Sequence, residues 1–243
     1  MNGTPYPFRD FVRVKDAVRT ALCEQEETYL LVTGETGTGK TALLRELRAH
    51  LDRARYRVLY FAEARRLSAF GLVRVVARTL RVRVTPIHSE SLDQLVRALA
   101  EETQKVLLWF DEAHELPEET LAEARALAEC DLDGHASVQI LLVGMPRLRS
   151  ELQAYPQLWR RIVVREEITG LQIDELESFL EHHFGPAQAK RLGEQALATL
   201  FEHAKGAPGL VLPMARRIFA AAPGNGHVEP EHVADILHRF ELA

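Results

Sequence analysis

Cysteine is nearly absent from this chain: Cys23 and Cys130 stand alone among 243 residues. They lie far apart and have neither metal-ligand spacing nor the paired framework of a disulfide-stapled domain, which fits a reducing compartment and thiols that carry no chemistry. Long apolar runs are missing too. No stretch approaches the roughly 20 residues needed to span a bilayer, and Met1 to Asp10 lacks a basic segment followed by an apolar core. The expectation is a cytoplasmic protein that makes no membrane contact. Positive charge is not in excess, since 30 Lys and Arg against 35 Asp and Glu leave a net charge of −5. Binding of nucleic acid by bulk charge is thereby excluded, and only a local basic surface could do it. Internal repeats and low-complexity segments are lacking as well.

What the chain does have is a glycine loop. Gly34 to Thr41 reads GETGTGKT and meets every position of G-x-x-x-x-G-K-[ST]. Tyr29 to Thr33 before it reads as a short buried strand, and Thr41 to Leu51 after it has helical spacing of apolar residues. Strand, loop and helix thus come in the order that phosphate binding requires. Gly34, Gly37 and Gly39 let the backbone wrap phosphates without a clashing Cβ, so that the amides of Gly34, Glu35, Thr36, Gly37, Thr38 and Gly39 and the helix N-terminus face negative charge. Lys40 is placed to reach the β and γ phosphates, and the Thr41 hydroxyl to ligate magnesium. ATP and Mg2+ are the expected cofactors.

A second motif lies downstream. Lys105 to Phe110 reads as a fully buried strand that ends in Asp111-Glu112, a Walker B arrangement. Asp111 is expected to bind the magnesium directly or through water. Glu112 is expected to orient and deprotonate the attacking water, which makes Glu112 and Lys40 the catalytic candidates. The letters DEAH over Asp111 to His114 do not imply a helicase, because the chain has no room for two motor domains and no second set of motor motifs. His114 is expected to be a turn residue or a γ-phosphate relay.

Periodicity predicts helices over Phe8–Cys23, Ala69–Leu80, Ser91–Glu101 and Leu116–Ala128, with further strands over Val58–Phe61, Ser137–Gly144 and Arg161–Ile168. This alternation implies an α/β fold with a parallel sheet between helices. From Leu171 onward the pattern turns all-helical, over Asp174–His183, Glu194–Lys205, Leu210–Ala222 and Pro230–Phe240, with turns at residues 206–209 and 223–226. The expected domains are an N-terminal helical segment over 1–24 packing on the core, a nucleotide-binding α/β domain over 25–170 and a helical lid over 171–243.

The order of these motifs resembles the AAA+ ATPases found in secretion-associated ExeA proteins and in transposition helpers such as TnsC, TniB and MuB. The likeness covers nearly the whole chain and rests on GETGTGKT, on LLWFDEAHEL from Leu107, on the LAEARALAE helix from Leu121, on ILLVGMPRLRSEL from Ile140 and on WRRI from Trp159. It implies a P-loop ATPase with slow, assembly-stimulated turnover. It also implies an arginine finger that reaches a neighbouring subunit's ATP: Arg161 first, Arg160 second. Two positions depart from the family pattern. Met145 stands where a polar first-sensor residue is usual, and Gly209 where the second-sensor arginine is usual; Arg216 or Arg217 is the candidate substitute. The resemblance implies a homo-oligomer, a ring or a filament, that binds duplex DNA without reading sequence and recruits or activates a transposase. The alternatives are a partner-driven signalling or secretion-associated NTPase switch that does not use DNA, and a loader for a replication protein. Secretion-associated relatives usually carry a membrane span and a cell-wall-binding region that are not seen in this sequence, which shifts the expectation toward DNA. The candidate DNA residues are Arg74, Arg78 and Arg81, at i, i+4 and i+7 opposite an apolar helix face, with Arg65, Arg66 and Arg83 nearby. No aromatic residue interleaves with these cations, so contact with duplex phosphates is the expectation.

Overall fold

A computed structural model of the chain describes residues 5–83, 85, 88–129, 138–222, 224 and 226–241. Cys130, Ser137 and parts of the predicted turn over 223–226 lie outside the described residues. The elements in chain order are α1 (Arg9–Cys23), β1 (Tyr29–Thr33), α2 (Lys40–His50), β2 (Tyr56–Phe61), α3 (Ala69–Thr79), α4 (His88–Glu101), β3 (Lys105–Phe110), α5 (Glu118–Glu129), β4 (Val138–Gly144), α6 (Arg147–Gln153), α7 (Pro156–Arg161), β5 (Ile162–Glu167), α8 (Leu176–Phe184), α9 (Pro186–Ala189), α10 (Glu194–Ala204), α11 (Pro208–Ala221) and α12 (Pro230–Glu241). Short 3-10 turns precede α3 (Ala64–Arg66), α5 (Ala113–Glu115) and α8 (Ile173–Glu175).

The chain clusters into two compact units. One comprises the described residues of Met1–Val14, Gly34–Leu43 and Ile168–Ala243; the other comprises Lys15–Thr33 and Leu44–Glu167. The second holds a five-stranded sheet in the order β2-β3-β4-β1-β5, and every pairing in it is parallel. The fold is therefore the α/β class with a parallel sheet and flanking helices.

Burial explains why the strands read as they do. The central strands β1, β3 and β4 are apolar at nearly every position, with Thr33, Lys105 and Gln139 as the polar residues, because both of their faces are covered. Alternation then assigns the faces. Tyr29, Leu31, Val106, Leu108, Phe110, Val138, Ile140 and Leu142 pack with Leu72, Val73 and Val76 of α3, Leu95 and Leu99 of α4 and Leu127 of α5 in one core. The residues between them point to the opposite face. There Gln139, fully buried, donates its Nε2 to the carbonyls of Leu22 (3.2 Å) and Glu27 (2.8 Å), which ties the end of α1 to the sheet. The edge strands β2 and β5 are only half buried, and Val163 is among the exposed large apolar residues. Register puts the carboxyl ends of the strands level, with Thr33 opposite Gly144 and Phe110 opposite Leu142. In open parallel sheets that edge is where ligands bind.

The first unit is helical apart from the glycine loop. The Arg9 amide donates to Glu175 Oε1 at 2.7 Å, the Arg9 guanidinium pairs with Asp174, and Asp10 Oδ2 accepts the Thr169 amide at 2.6 Å. The start of α1 is thus fastened to the segment that opens the helical region. Several predicted boundaries are corrected, among them that of the last strand: Arg161 closes α7, and β5 begins at Ile162. Periodicity also misses α6, α7 and α9. They are short, with seven, six and four residues, too brief for a helical period to register. Among the described residues no helix is long and apolar enough to cross a membrane.

Candidate functional site

The loop of residues 34–39 leaves β1 and ends where α2 begins at Lys40. Gly37 and Gly39 have φ of 83° and 108°, the left-handed region that a side chain disfavours. Gly34 is required for a different reason, since a Cβ there would lie 2.5 Å from the Ile168 carbonyl oxygen. The loop is closed by its own polar groups. Lys40 Nζ donates to the carbonyls of Gly34 (2.7 Å) and Glu35 (2.9 Å), and Thr38 Oγ1 donates to the Glu35 carbonyl (2.8 Å). Lys40 and Thr38 are buried, whereas Glu35, Thr36 and Thr41 are exposed. An ammonium at the head of a helix, on a loop free of side-chain obstruction, fits the charge and size of a polyphosphate.

The helical region meets this loop through a backbone hydrogen bond. The Gly209 amide, at the start of α11, donates to the Gly37 carbonyl at 2.8 Å, and a Cβ on residue 209 would fall 2.9 Å from Gly37 Cα. Any side chain at this position, the arginine expected by resemblance included, would force the two backbones to shift. Arg216 and Arg217, the suggested substitutes, are exposed and lie seven and eight residues further along α11, about 10 Å down its axis.

The acid pair is held differently. Asp111 is buried at the end of β3; its amide donates to the Phe61 carbonyl at 2.9 Å. Its Oδ1 accepts the Glu112 amide (3.0 Å), and its Oδ2 accepts the Tyr60 hydroxyl (2.8 Å). Each oxygen keeps a further lone pair, so the carboxylate still suits a hard cation or its water. Burial, and then the bond to Asp111, push the Tyr60 phenol up to about 12, so Tyr60 remains a donor at neutral pH. Glu112 adopts φ 50° and ψ 39°, left-handed backbone for a residue with a side chain, and its carboxylate is half exposed. Strain of this kind concentrates at functional sites. His114, whose side chain is 7% exposed, accepts the Met145 amide on Nδ1 at 3.2 Å. Tyr60 had no signal in the sequence: its role comes from strand register, which aligns it with Trp109, one residue before the ends of β2 and β3.

Arg160 and Arg161 end α7, and both are exposed. Arg161 Nη1 lies 2.9 Å from Glu129 Oε1, the oxygen that also accepts the Tyr29 hydroxyl at 2.7 Å. The partner of Arg161 is thus at the end of α5. Of the basic stripe, Arg74 and Arg78 sit on α3, are exposed, and have no carboxylate partner among the described residues. With Gly71, Val75 and Val82 they line a cleft of about 460 Å³. Arg81 departs from the expected stripe: α3 stops at Thr79, and Arg81 follows it with φ 59°, beyond the helix. An aromatic residue does join the cations, as Arg74 lies 6.0 Å from the ring centre of the exposed Phe70.

Comparison with known proteins agrees with this architecture. Residues 23–152 match the family model described as AAA domain. The chain is 27% identical over 225 residues to the general secretion pathway protein A of Aeromonas hydrophila, an alignment that takes in 88% of this chain and 41% of that protein. This chain therefore spans less than half the length of that relative. In fold it is similar to the ORC2 protein of Aeropyrum pernix, with a TM-score of 0.68 and 17% identity over 98% of this chain and 70% of the other. It is also similar to the ORC1 protein of Aeropyrum pernix in complex with DNA, with a TM-score of 0.64 and 18% identity over 98% of this chain and 67% of the other.

Proposed function

This chain belongs to the AAA domain family, and from that premise we propose that it is an ATP-hydrolysing switch that assembles on duplex DNA and recruits or activates a transposase. In this reading Lys40 contacts the β and γ phosphates, and the backbone of Gly34, Glu35, Thr36, Gly37, Thr38 and Gly39 cradles them. Thr41 and Asp111 are the ligands for Mg2+, which when bound neutralises phosphate charge. Glu112 orients and deprotonates the water that attacks the γ phosphate. Arg161, with Arg160 as its alternative, serves a neighbouring subunit's nucleotide, so that hydrolysis reports assembly. The proposed domains are a helical segment over 1–24, a nucleotide-binding domain over 25–170 and a lid over 171–243.

The DNA part of the reading is carried by one observation: Arg74 and Arg78 stand exposed, side by side and without carboxylate partners among the described residues, on a chain of net charge −5. Arg81 would add to them from the turn beyond α3. Summed over the copies of an oligomer, a few phosphate contacts per subunit suffice for salt-sensitive, sequence-independent binding. A fold neighbour whose structure was determined in complex with DNA supports the same reading. A secretion-associated switch that uses no DNA is the second reading, favoured by the likeness to general secretion pathway protein A.

The test is the ATPase rate over a range of protein concentrations, with and without random-sequence duplex DNA. Stimulation by DNA with steep concentration dependence is expected. In the Arg74→Ala/Arg78→Ala variant the salt slope of DNA binding should flatten by about two. A rate indifferent to DNA, with no DNA-induced assembly, would favour the secretion-associated reading.

A further inference from the structure

Met145 follows the last residue of β4, and its thioether is a weak acceptor and no donor. The polar group found at that turn comes from elsewhere in the chain. His114 lies two residues past Glu112, on the short turn Ala113–Glu115, with only 7% of its side chain exposed. Its Nδ1 accepts the Met145 backbone amide at 3.2 Å. A ring nitrogen that accepts carries no proton, so the neutral ring holds its proton on Nε2. Glu112 Oε2 stands 3.5 Å from the same Nδ1, which as an acceptor makes no bond to a carboxylate, so the link from Glu112 to His114 is the backbone of their shared turn, where the Glu115 amide donates to the Glu112 carbonyl at 2.8 Å. The residue that makes room for this is Gly144, since a Cβ there would come within 3.0 Å of His114 Nδ1 and 3.3 Å of the His114 amide nitrogen. The strained acid, the buried imidazole, the glycine and the methionine amide thus form one arrangement. From Met145 the chain runs directly into α6 and α7, whose last residues are Arg160 and Arg161.

We propose that His114 is a positioning residue that couples Glu112 to the turn between β4 and α6, so that the placement of the acid is transmitted to the helices that carry the arginine pair. Its ring supplies, from the β3 side, an acceptor that holds the Met145 amide. This inference rests on the ATPase reading above.

Four proteins test it: wild type, His114→Phe, His114→Gln and the double variant His114→Phe/Met145→Asn. Phenylalanine fills the buried space without an acceptor, whereas glutamine retains one. The measurements are affinity for a fluorescent ATP analogue, single-turnover hydrolysis at saturating Mg·ATP, and hydrogen exchange at the Met145 amide. The phenylalanine variant should bind nucleotide within about twofold of wild type and hydrolyse it about tenfold more slowly, the scale of one lost ordinary hydrogen bond, with faster exchange at Met145. The His114→Gln variant should keep most of the rate and the protection, and the Met145→Asn change should restore part of the rate to the double variant. A merely structural histidine would give no such rescue. Hydrolysis by His114→Phe at the wild-type rate would overturn the proposal. So would a slow His114→Phe variant if His114→Gln were equally slow and the added Met145→Asn change brought no recovery. Should His114→Phe fail to fold, His114→Gln decides: wild-type rate and Met145 protection together support the coupling, and loss of both with the fold intact refutes the acceptor role. Failure of the wild type to bind or hydrolyse ATP would instead remove the ATPase reading, and this inference with it.

Discussion

The turn after β1 and the turn after β3 hold opposite charges by opposite means. In the first, the Lys40 ammonium rests on two backbone carbonyls, Thr38 on a third contact to the same backbone, and a bond from the helical region is amide to carbonyl. In the second, the Asp111 carboxylate is held by a phenol 51 residues away in sequence, and the turn that carries Glu112 is anchored through an imidazole to an amide 31 residues further on. A charge held by backbone imposes its demands on one contiguous stretch, as glycines. A charge held by side chains recruits residues from wherever the fold brings them. The cation loop is therefore a local device, and the acid turn is a tertiary one.

The largest test of the comparison is at Glu112. Glu112→Gln should keep ATP bound and lower hydrolysis by about a thousandfold, the usual scale for losing a general base; single-turnover kinetics would show it, and unchanged turnover would remove Glu112 from the mechanism. Glu112→Gly separates strain from chemistry. It should lose hydrolysis equally while the folded state gains about 1 kcal/mol, because the left-handed backbone of residue 112 no longer costs a Cβ clash. Chemical denaturation reads that gain. Next in size, Lys40→Ala should weaken ATP binding about a hundredfold, equivalent to about 3 kcal/mol of charge-assisted contact. The same change strands two carbonyls in the loop, so a modest fall in stability should accompany it.

What could be read from sequence follows the same division. The glycine loop, the three central strands and the acid pair are legible because backbone geometry and two-sided burial leave contiguous patterns, GETGTGKT in one case and nearly all-apolar strands in the other. Tyr60 is not legible, since nothing in its own neighbourhood says that register will set it beside Asp111. Gly209 is legible only as a missing arginine; its amide-to-carbonyl contact with Gly37 needs coordinates. The end of α3 at Thr79 is blurred by apolar spacing that continues through Leu80, so the sequence alone puts Arg81 on the helix.

Gly209→Ala probes the backbone contact of the loop. The added methyl would sit 2.9 Å from Gly37 Cα, too close for van der Waals contact, so the start of α11 must withdraw. The expected cost is about 1–3 kcal/mol, the range for overpacking a close contact, and denaturation midpoints would reveal it. Stability equal to wild type would mean that the loop does not depend on this bond.

Tyr60→Phe is the smallest change and the most direct probe of the acid turn. At neutral pH it removes one partly exposed hydrogen bond to Asp111, worth about 1 kcal/mol. The pH dependence sharpens the assignment. The folded state holds the Tyr60 proton more tightly than the unfolded chain does, with the phenol pushed from its usual value near 10 up to about 12. The resulting stabilisation is complete below about pH 10 and is lost as pH climbs toward 12. Tyr29 and Tyr56, both raised by burial, contribute declines of the same sign in wild type and variant alike. The difference between the two stability curves therefore isolates Tyr60. It should be flat up to about pH 10 and shrink above it, whereas a constant difference across that window would mean that the phenol is not bonded to the Asp111 carboxylate in solution.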